Sequence, residues 1–156
     1  MIHLALLALF ASQDSARIFV YAQRESAARS WRPILCDGIL VAKLKRGNFF
    51  AINVPPGRHM LSVANGVGTF VNATVGNDSF VRLDSQIEIG ESPALVMGKV
   101  DPAVARQEMR FVLYIDPKQV LSTSVSKADP RPPVEPRLKT REPRPKRPTS
   151  FCSCAG

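Results

Sequence analysis

Turn-forming residues recur along this chain about every ten positions, and that rhythm restricts the folds open to it. Asp37-Gly38, Lys45-Arg46-Gly47-Asn48, Pro55-Pro56-Gly57, Asn65-Gly66-Val67-Gly68 and Gly76-Asn77-Asp78 each divide two short apolar or alternating runs. The runs cover residues 17–22, 31–36, 39–44, 49–54, 59–64, 69–75, 79–83 and 94–100, rich in Val, Ile, Phe and Leu. Segments this short are strand-sized, and their β-branched and aromatic content suits a pleated surface. Asp37-Gly38 is the sharpest signal, because both residues tolerate the positive φ of a two-residue hairpin. Between the strands no segment is long enough for the helix of a parallel crossover. The pattern therefore predicts an all-β domain with minor α content, an antiparallel β-sandwich or barrel.

One helix is expected near the end of the domain. Asp101 is a good N-cap and Pro102 fits the first helical position, so residues 103–109 read as a short helix. Residues 111–115, Phe-Val-Leu-Tyr-Ile, read as a last strand closed by Pro117.

The 156 residues suffice for one domain and one core. The formal charge of +8 is unevenly spread. Residues 17–127 hold fourteen Lys/Arg against nine Asp/Glu, whereas 128–156 hold seven against three and also seven of the thirteen prolines. Proline removes an N–H donor and fixes φ, and the segment has few apolar residues to offset the entropy of ordering. The domain boundary is placed near Ser126, with residues 127–156 read as a disordered tail rich in Pro, Arg and Lys.

Leu4-Ala-Leu-Leu-Ala-Leu-Phe-Ala11 is an apolar run that breaks into Ser12-Gln13-Asp14-Ser15. It is too short to span a membrane and reads as an export signal over residues 1–16, with Ala11 or Ala16 as the last residue removed. The competing reading is a buried first strand or helix of the domain. No cysteine follows the run, so a lipid anchor on cysteine has no support.

The central block runs Cys36-Asp37-Gly38-Ile39-Leu40-Val41-Ala42-Lys43-Leu44, then Gly47-Asn48-Phe49-Phe50, then Val54-Pro55-Pro56-Gly57-Arg58-His59-Met60-Leu61-Ser62-Val63. It resembles small bacterial envelope β-domains of two kinds, the PEGA domains and the domain-of-unknown-function family 2846. The preceding Ile18-Phe19-Val20-Tyr21 and the strand-then-helix ending are more similar to the second. The resemblance spans residues 16–115 and implies an immunoglobulin- or prealbumin-like sandwich, usually exported and often lipid-anchored. It implies no activity and no catalytic residue.

Residues able to carry chemistry are few. His59 is the only imidazole outside the expected leader and reads as structural, beside a Pro-Gly turn. Cys36 reads as a small buried hydrophobe at a strand end, with nucleophilic chemistry alongside His59 the least favoured reading. Glu88 and Glu91, with Asp84 near, form a solvated acidic loop without the spacing of a calcium loop. Glycine-rich phosphate cradles and Gly-x-Ser-x-Gly elbows are absent, and no cofactor or metal is expected.

The tail is the more suggestive part. Arg131, Arg137, Lys139, Arg141, Arg144, Lys146 and Arg147 alternate with prolines that hold the chain extended, so a polyanion can lie along them. Cys152 and Cys154 form a Cys-x-Cys pair whose internal bridge would be strained. Intermolecular disulfides are their sharper use in an oxidising compartment, beside soft-metal binding or no role. The leading expectation is a non-enzymatic periplasmic or secreted β-domain with a structural or binding role at the cell envelope. Its partner would be an unknown protein or envelope polymer, with the tail on an anionic membrane or cell-wall surface. Export argues against nucleic acid. The alternative is an intracellular, nucleic-acid-associated protein binding through the same tail, and a small Cys/His hydrolase comes last.

Overall fold

The computed structural model describes residues 14–86, 94–117 and 125–131. The expected leader up to residue 13, Glu88 and Glu91 of the acidic loop, and the chain beyond Arg131 lie outside the described residues.

Chain order gives β1 (Ala16–Ala22), β2 (Arg32–Cys36), β3 (Ile39–Leu44), β4 (Asn48–Val54), β5 (Gly57–Val63), β6 (Thr69–Ala73), β7 (Asp78–Gln86) and β8 (Ala94–Val100). Helix α1 (Pro102–Glu108), a 3-10 turn over Met109–Phe111, β9 (Leu113–Tyr114) and β10 (Ser126–Lys127) complete the order. One sheet is ordered β10-β4-β1-β7-β8, with β9 also on β4, and the other β3-β2-β5-β6. The fold is thus mostly β with one short helix, as the turn rhythm predicts.

The position of β1 follows from its composition. Its run Ile18-Phe19-Val20-Tyr21-Ala22 is fully buried, so it has no solvent face and must sit mid-sheet with cover on both sides. Ile18 and Val20 face the interior between the sheets, with Phe50 and Ile52 of β4, Val81 and Leu83 of β7, Ile34 of β2, Val41 of β3 and Leu61 of β5. Phe19 and Tyr21 point the other way. There they pack with Ala51 and Phe80 beneath Ala105 of α1, Val112 and Ala128. The Phe19 and Phe80 rings stack at 5.0 Å.

Several expectations need correction. The first sheet is mixed rather than antiparallel, because β1 runs parallel to β7 and β4 parallel to β9. The β1–β7 connection contains the whole second sheet as well as β4, and a return that long can supply a parallel partner without a crossover helix. The expected strand over 111–115 shrinks to Leu113–Tyr114, because Phe111 belongs to the 3-10 turn that ends α1. The folded body also runs past Ser126. β10 pairs antiparallel with Asn53 and Ile52, and Val125 and Ala128 are buried.

The helix start is as read from sequence. Asp101 caps α1, accepting from the amides of Ala103 (2.9 Å) and Val104 (3.5 Å), with Pro102 in the first turn. The sheets are stitched at one corner by Val67, which donates to Leu95 O and accepts from Met97 N, each at 2.9 Å. Gly66 permits this approach. A Cβ there would lie 2.4 Å from Val63 Cγ1 and 2.5 Å from the Leu95 carbonyl oxygen.

Gly66→Ala therefore overpacks a rigid backbone crossing and is expected to cost about 1–3 kcal/mol. Gly98→Ala in β8, where a Cβ meets nothing within 4 Å, should stay within about 0.5 kcal/mol of the parent. Urea denaturation midpoints of the two variants check the contrast.

Candidate functional site

Two residues that the sequence offers together only as the least favoured pairing, Cys36 and His59, meet in space, and a third joins them. Asp37 and Gly38 turn with φ of +51° and +81°, the two positive values a type I′ hairpin requires. The turn closes Cys36 onto Ile39. On its other side β2 pairs with β5, placing Cys36 opposite Leu61. Side chains two apart on a strand share a face, so His59 points inward beside Leu61, diagonal to Cys36. Both residues are buried.

Asp37 locks the hairpin to β5. Its amide donates to Met60 O at 2.8 Å, and its Oδ1 accepts from Met60 N at 2.8 Å. The second carboxylate oxygen, Oδ2, faces His59 Nδ1 at 2.7 Å and Cys36 Sγ at 3.9 Å. On the far side of the ring, Nε2 lies 2.7 Å from Pro55 O. The ring is thus held between a carboxylate on one nitrogen and a backbone carbonyl on the other. One ligand-type atom from each of Cys36, Asp37 and His59 lies within 4.8 Å of the other two.

The electrostatics decide what this arrangement can do. Burial, then the Asp37 charge and the hydrogen bond to it, push the Cys36 thiol up to about 12. Such a thiol is not an activated nucleophile, which would need a cationic or basic neighbour aimed at sulfur. Here sulfur leans on the carboxylate, and the imidazole Nε2 is committed to Pro55. For Asp37, burial works against ionisation, but the His59 hydrogen bond, the Met60 amide, the His59 charge and the Cys36 thiol outweigh it. The carboxyl is held below its ordinary range.

A second polar network lies on the opposite side of the molecule. Tyr21 Oη donates to Glu108 of α1, which also accepts from Arg82 at 2.9 Å, and Arg82 pairs with Asp84 at 3.1 Å. Burial, then the Glu108 hydrogen bond and charge, raise the phenol, so Tyr21 serves as a donor and not as a base. The network fastens α1 over the first sheet. Beside it lies an open groove of about 400 Å³ lined by Gln23, Arg24, Glu25, Gln107, Glu108 and Phe111.

Of the basic residues expected to meet a polyanion, Arg131 lies in the described body, paired with Asp129 at 2.9 Å. Arg17 binds Asp78 through two nitrogens, at 2.8 and 3.1 Å, and also donates to the carbonyls of Asp129 and Arg131. The chain past β10 is thereby tied to the start of β1. Arg137, Lys139, Arg141, Arg144, Lys146, Arg147, Cys152 and Cys154 lie outside the described residues.

The sequence marks Asp37 as a turn residue only. The meeting of Cys36 with His59 depends on β2 pairing with β5 across two intervening strands, and the sequence carries no local signal for that register. In comparisons with known proteins, the chain matches no family model, no curated protein and no solved structure.

Asp37→Asn keeps a residue that tolerates positive φ but removes the charge. It should cost about 1 kcal/mol, a value kept small because nearly half of the side chain meets water. Asp37→Ala adds about 1 kcal/mol more for the left-handed backbone. The folded carboxyl titrates below the unfolded one, so its stabilisation is complete above about pH 4 and is lost as pH falls through the folded value. Acid unfolding followed by circular dichroism should be less steep in Asp37→Asn. Cys36 should react with a thiol reagent at neutral pH only as fast as the protein opens, so its labelling rate should rise with urea.

Proposed function

We propose that this protein is an exported, non-enzymatic β-module with a structural or binding role at the bacterial cell envelope, held to an anionic surface by its basic proline-rich tail. The observation that carries the reading is how the Cys36–Asp37–His59 group is wired. The thiol is buried and kept protonated, and both imidazole nitrogens are engaged by acceptors. Those bonds serve to fix a hairpin and leave no base poised beside a nucleophile.

Two further features support it. Ala16 is buried in β1 opposite Val54, so β1 starts on the last residue of the expected leader. Removal of a leader after Ala11 spares β1, whereas removal after Ala16 deletes its first residue. At the other end, Arg17 fixes residues 129 and 131 against the body. Residues 132–156, with six Lys/Arg against two Asp/Glu, continue from that point. The likeness of the central block to PEGA and family 2846 domains, with their immunoglobulin- or prealbumin-like sandwich, belongs to the same proposal.

The test uses the full chain and a chain ending at Arg131, both sedimented with vesicles of anionic or neutral lipid. The full chain should bind anionic vesicles at low salt and release as salt rises, in the manner of a multi-cation contact. The shortened chain should stay in solution. Cell fractionation with sequencing of the mature N-terminus should find extracytoplasmic protein beginning at Ser12. Intact Met1 in cytoplasmic protein, or equal binding by both chains, would refute the proposal.

A further inference from the structure

We propose that Cys36, Asp37 and His59 form a site for one borderline-soft divalent cation of the zinc class, at the junction of the β2–β3 hairpin with β5. The reading goes beyond the envelope role and does not depend on it.

The donor set is one thiol sulfur, one imidazole nitrogen and one carboxylate oxygen. That mixture suits zinc and cobalt rather than calcium or magnesium, which take oxygen donors. The three donor atoms converge within 4.8 Å. Their spacings are near those of a shared tetrahedral ion. With bonds of about 2.3 Å to sulfur and about 2.0 Å to nitrogen and oxygen, neighbouring ligands sit about 3.3–3.5 Å apart. The present separations are 3.9 Å from Sγ to Oδ2 and 2.7 Å from Nδ1 to Oδ2. For both Asp37 separations the needed adjustment is under an ångström, which the half-exposed Asp37 side chain can supply, and Sγ and the imidazole, within 4.8 Å of each other, close on the ion by side-chain rotation.

The surroundings provide the stronger argument. A metal-bound histidine donates its remaining ring N–H to a carbonyl or carboxylate, which fixes the tautomer and aims the ligating nitrogen. His59 Nε2 meets Pro55 O at 2.7 Å, leaving Nδ1 as the ligating atom. Asp37 is oriented in the same way, its Oδ1 held by Met60 N and its Oδ2 left towards Nδ1 and Sγ. Two of the three ligands thus already have the backbone partners of a metal site. In the metal-free arrangement, Nδ1 and Sγ both face the single oxygen Oδ2. The cation takes up Oδ2, Nδ1 and Sγ together, and each proton it displaces, the thiol's included, passes to solvent. Asp37, at the exposed side, opens the remaining coordination position to water. A bound ion would tie the hairpin to β5 through its ligands and stabilise the folded state by mass action.

The experiment uses the full chain with Cys152→Ser and Cys154→Ser, so that tail thiols cannot supply the signal, purified in chelator and then dialysed. Cobalt(II) should bind at one ion per chain, with a thiolate-to-cobalt charge-transfer absorption in the near ultraviolet. Zinc should abolish that absorption by displacement and raise the melting temperature. His59→Gln should weaken cobalt binding at least tenfold, and Cys36→Ser should remove the charge-transfer band. Should Cys36→Ser fail to fold, the parent and His59→Gln decide between them. An unchanged melting temperature with excess zinc, a parent chain without the band, a band that survives Cys36→Ser, or His59→Gln binding within twofold of the parent would each overturn the site.

Discussion

The two-sided burial of β1 is the constraint on which the rest of this structure depends. A strand reading Ile-Phe-Val-Tyr-Ala has no face to give to water, and each large side chain left exposed would forfeit about 1.5–3 kcal/mol. One cover is the second sheet, which brings Ile34, Val41 and Leu61 against Ile18 and Val20. The other is built from the chain after β8: the helix with Ala105, the turn with Val112 and the last strand segment with Ala128. The helix is short and its own contribution is small, so its place is secured by burial and by the Tyr21–Glu108–Arg82 bonds. The phenolic oxygen of Tyr21 would otherwise be a buried polar atom without a partner, and Glu108 answers it.

The edges of the sheets receive similar care. A long open strand edge invites pairing with another chain. β8 is capped by Val67, and the outer edge of β4 is filled by two short strands, β9 near Asn48 and β10 near Asn53. On the outer surface of the second sheet, Arg58 covers the exposed ring of Phe70 at 3.9 Å, and Lys45 lies over Trp31 at 4.7 Å. Cations over these rings keep aromatic surface from acting as an adhesive patch.

How legible the structure is in the sequence varies with the range of the interaction. The hairpin at Asp37-Gly38, the strand over 39–44, the strand over 94–100 and the capped helix start at Asp101 are set by neighbours in the chain, and the sequence shows them directly. β10 is hidden because Ser126-Lys127 is short and polar on its own; its pairing depends on the open edge of β4, seventy residues before it in the chain. The parallel β1–β7 pair is hidden for the same reason. The candidate site falls between these cases. Cys36 and His59 are visible as residue types, and Asp37 as a turn former. Their meeting requires the β2–β5 register, set by the packing of the whole interior. The expected leader up to residue 13, the segment holding Glu88 and Glu91 and the proline-rich stretch past Arg131 lie outside the described residues, and composition alone speaks for them.

The filling of the β4 edge has a temporal side. Asn53 and Ile52 find their outer partners in Ser126 and Lys127, and Phe19 and Tyr21 find part of their cover in Ala128. A nascent chain emerging from the ribosome can assemble β1 to β8 and still present an unpaired stretch of backbone beside bare aromatic surface. That opening closes only once residues 126–128 have been synthesised, so from the completion of β8 until then the chain needs protection from its own neighbours on a polysome.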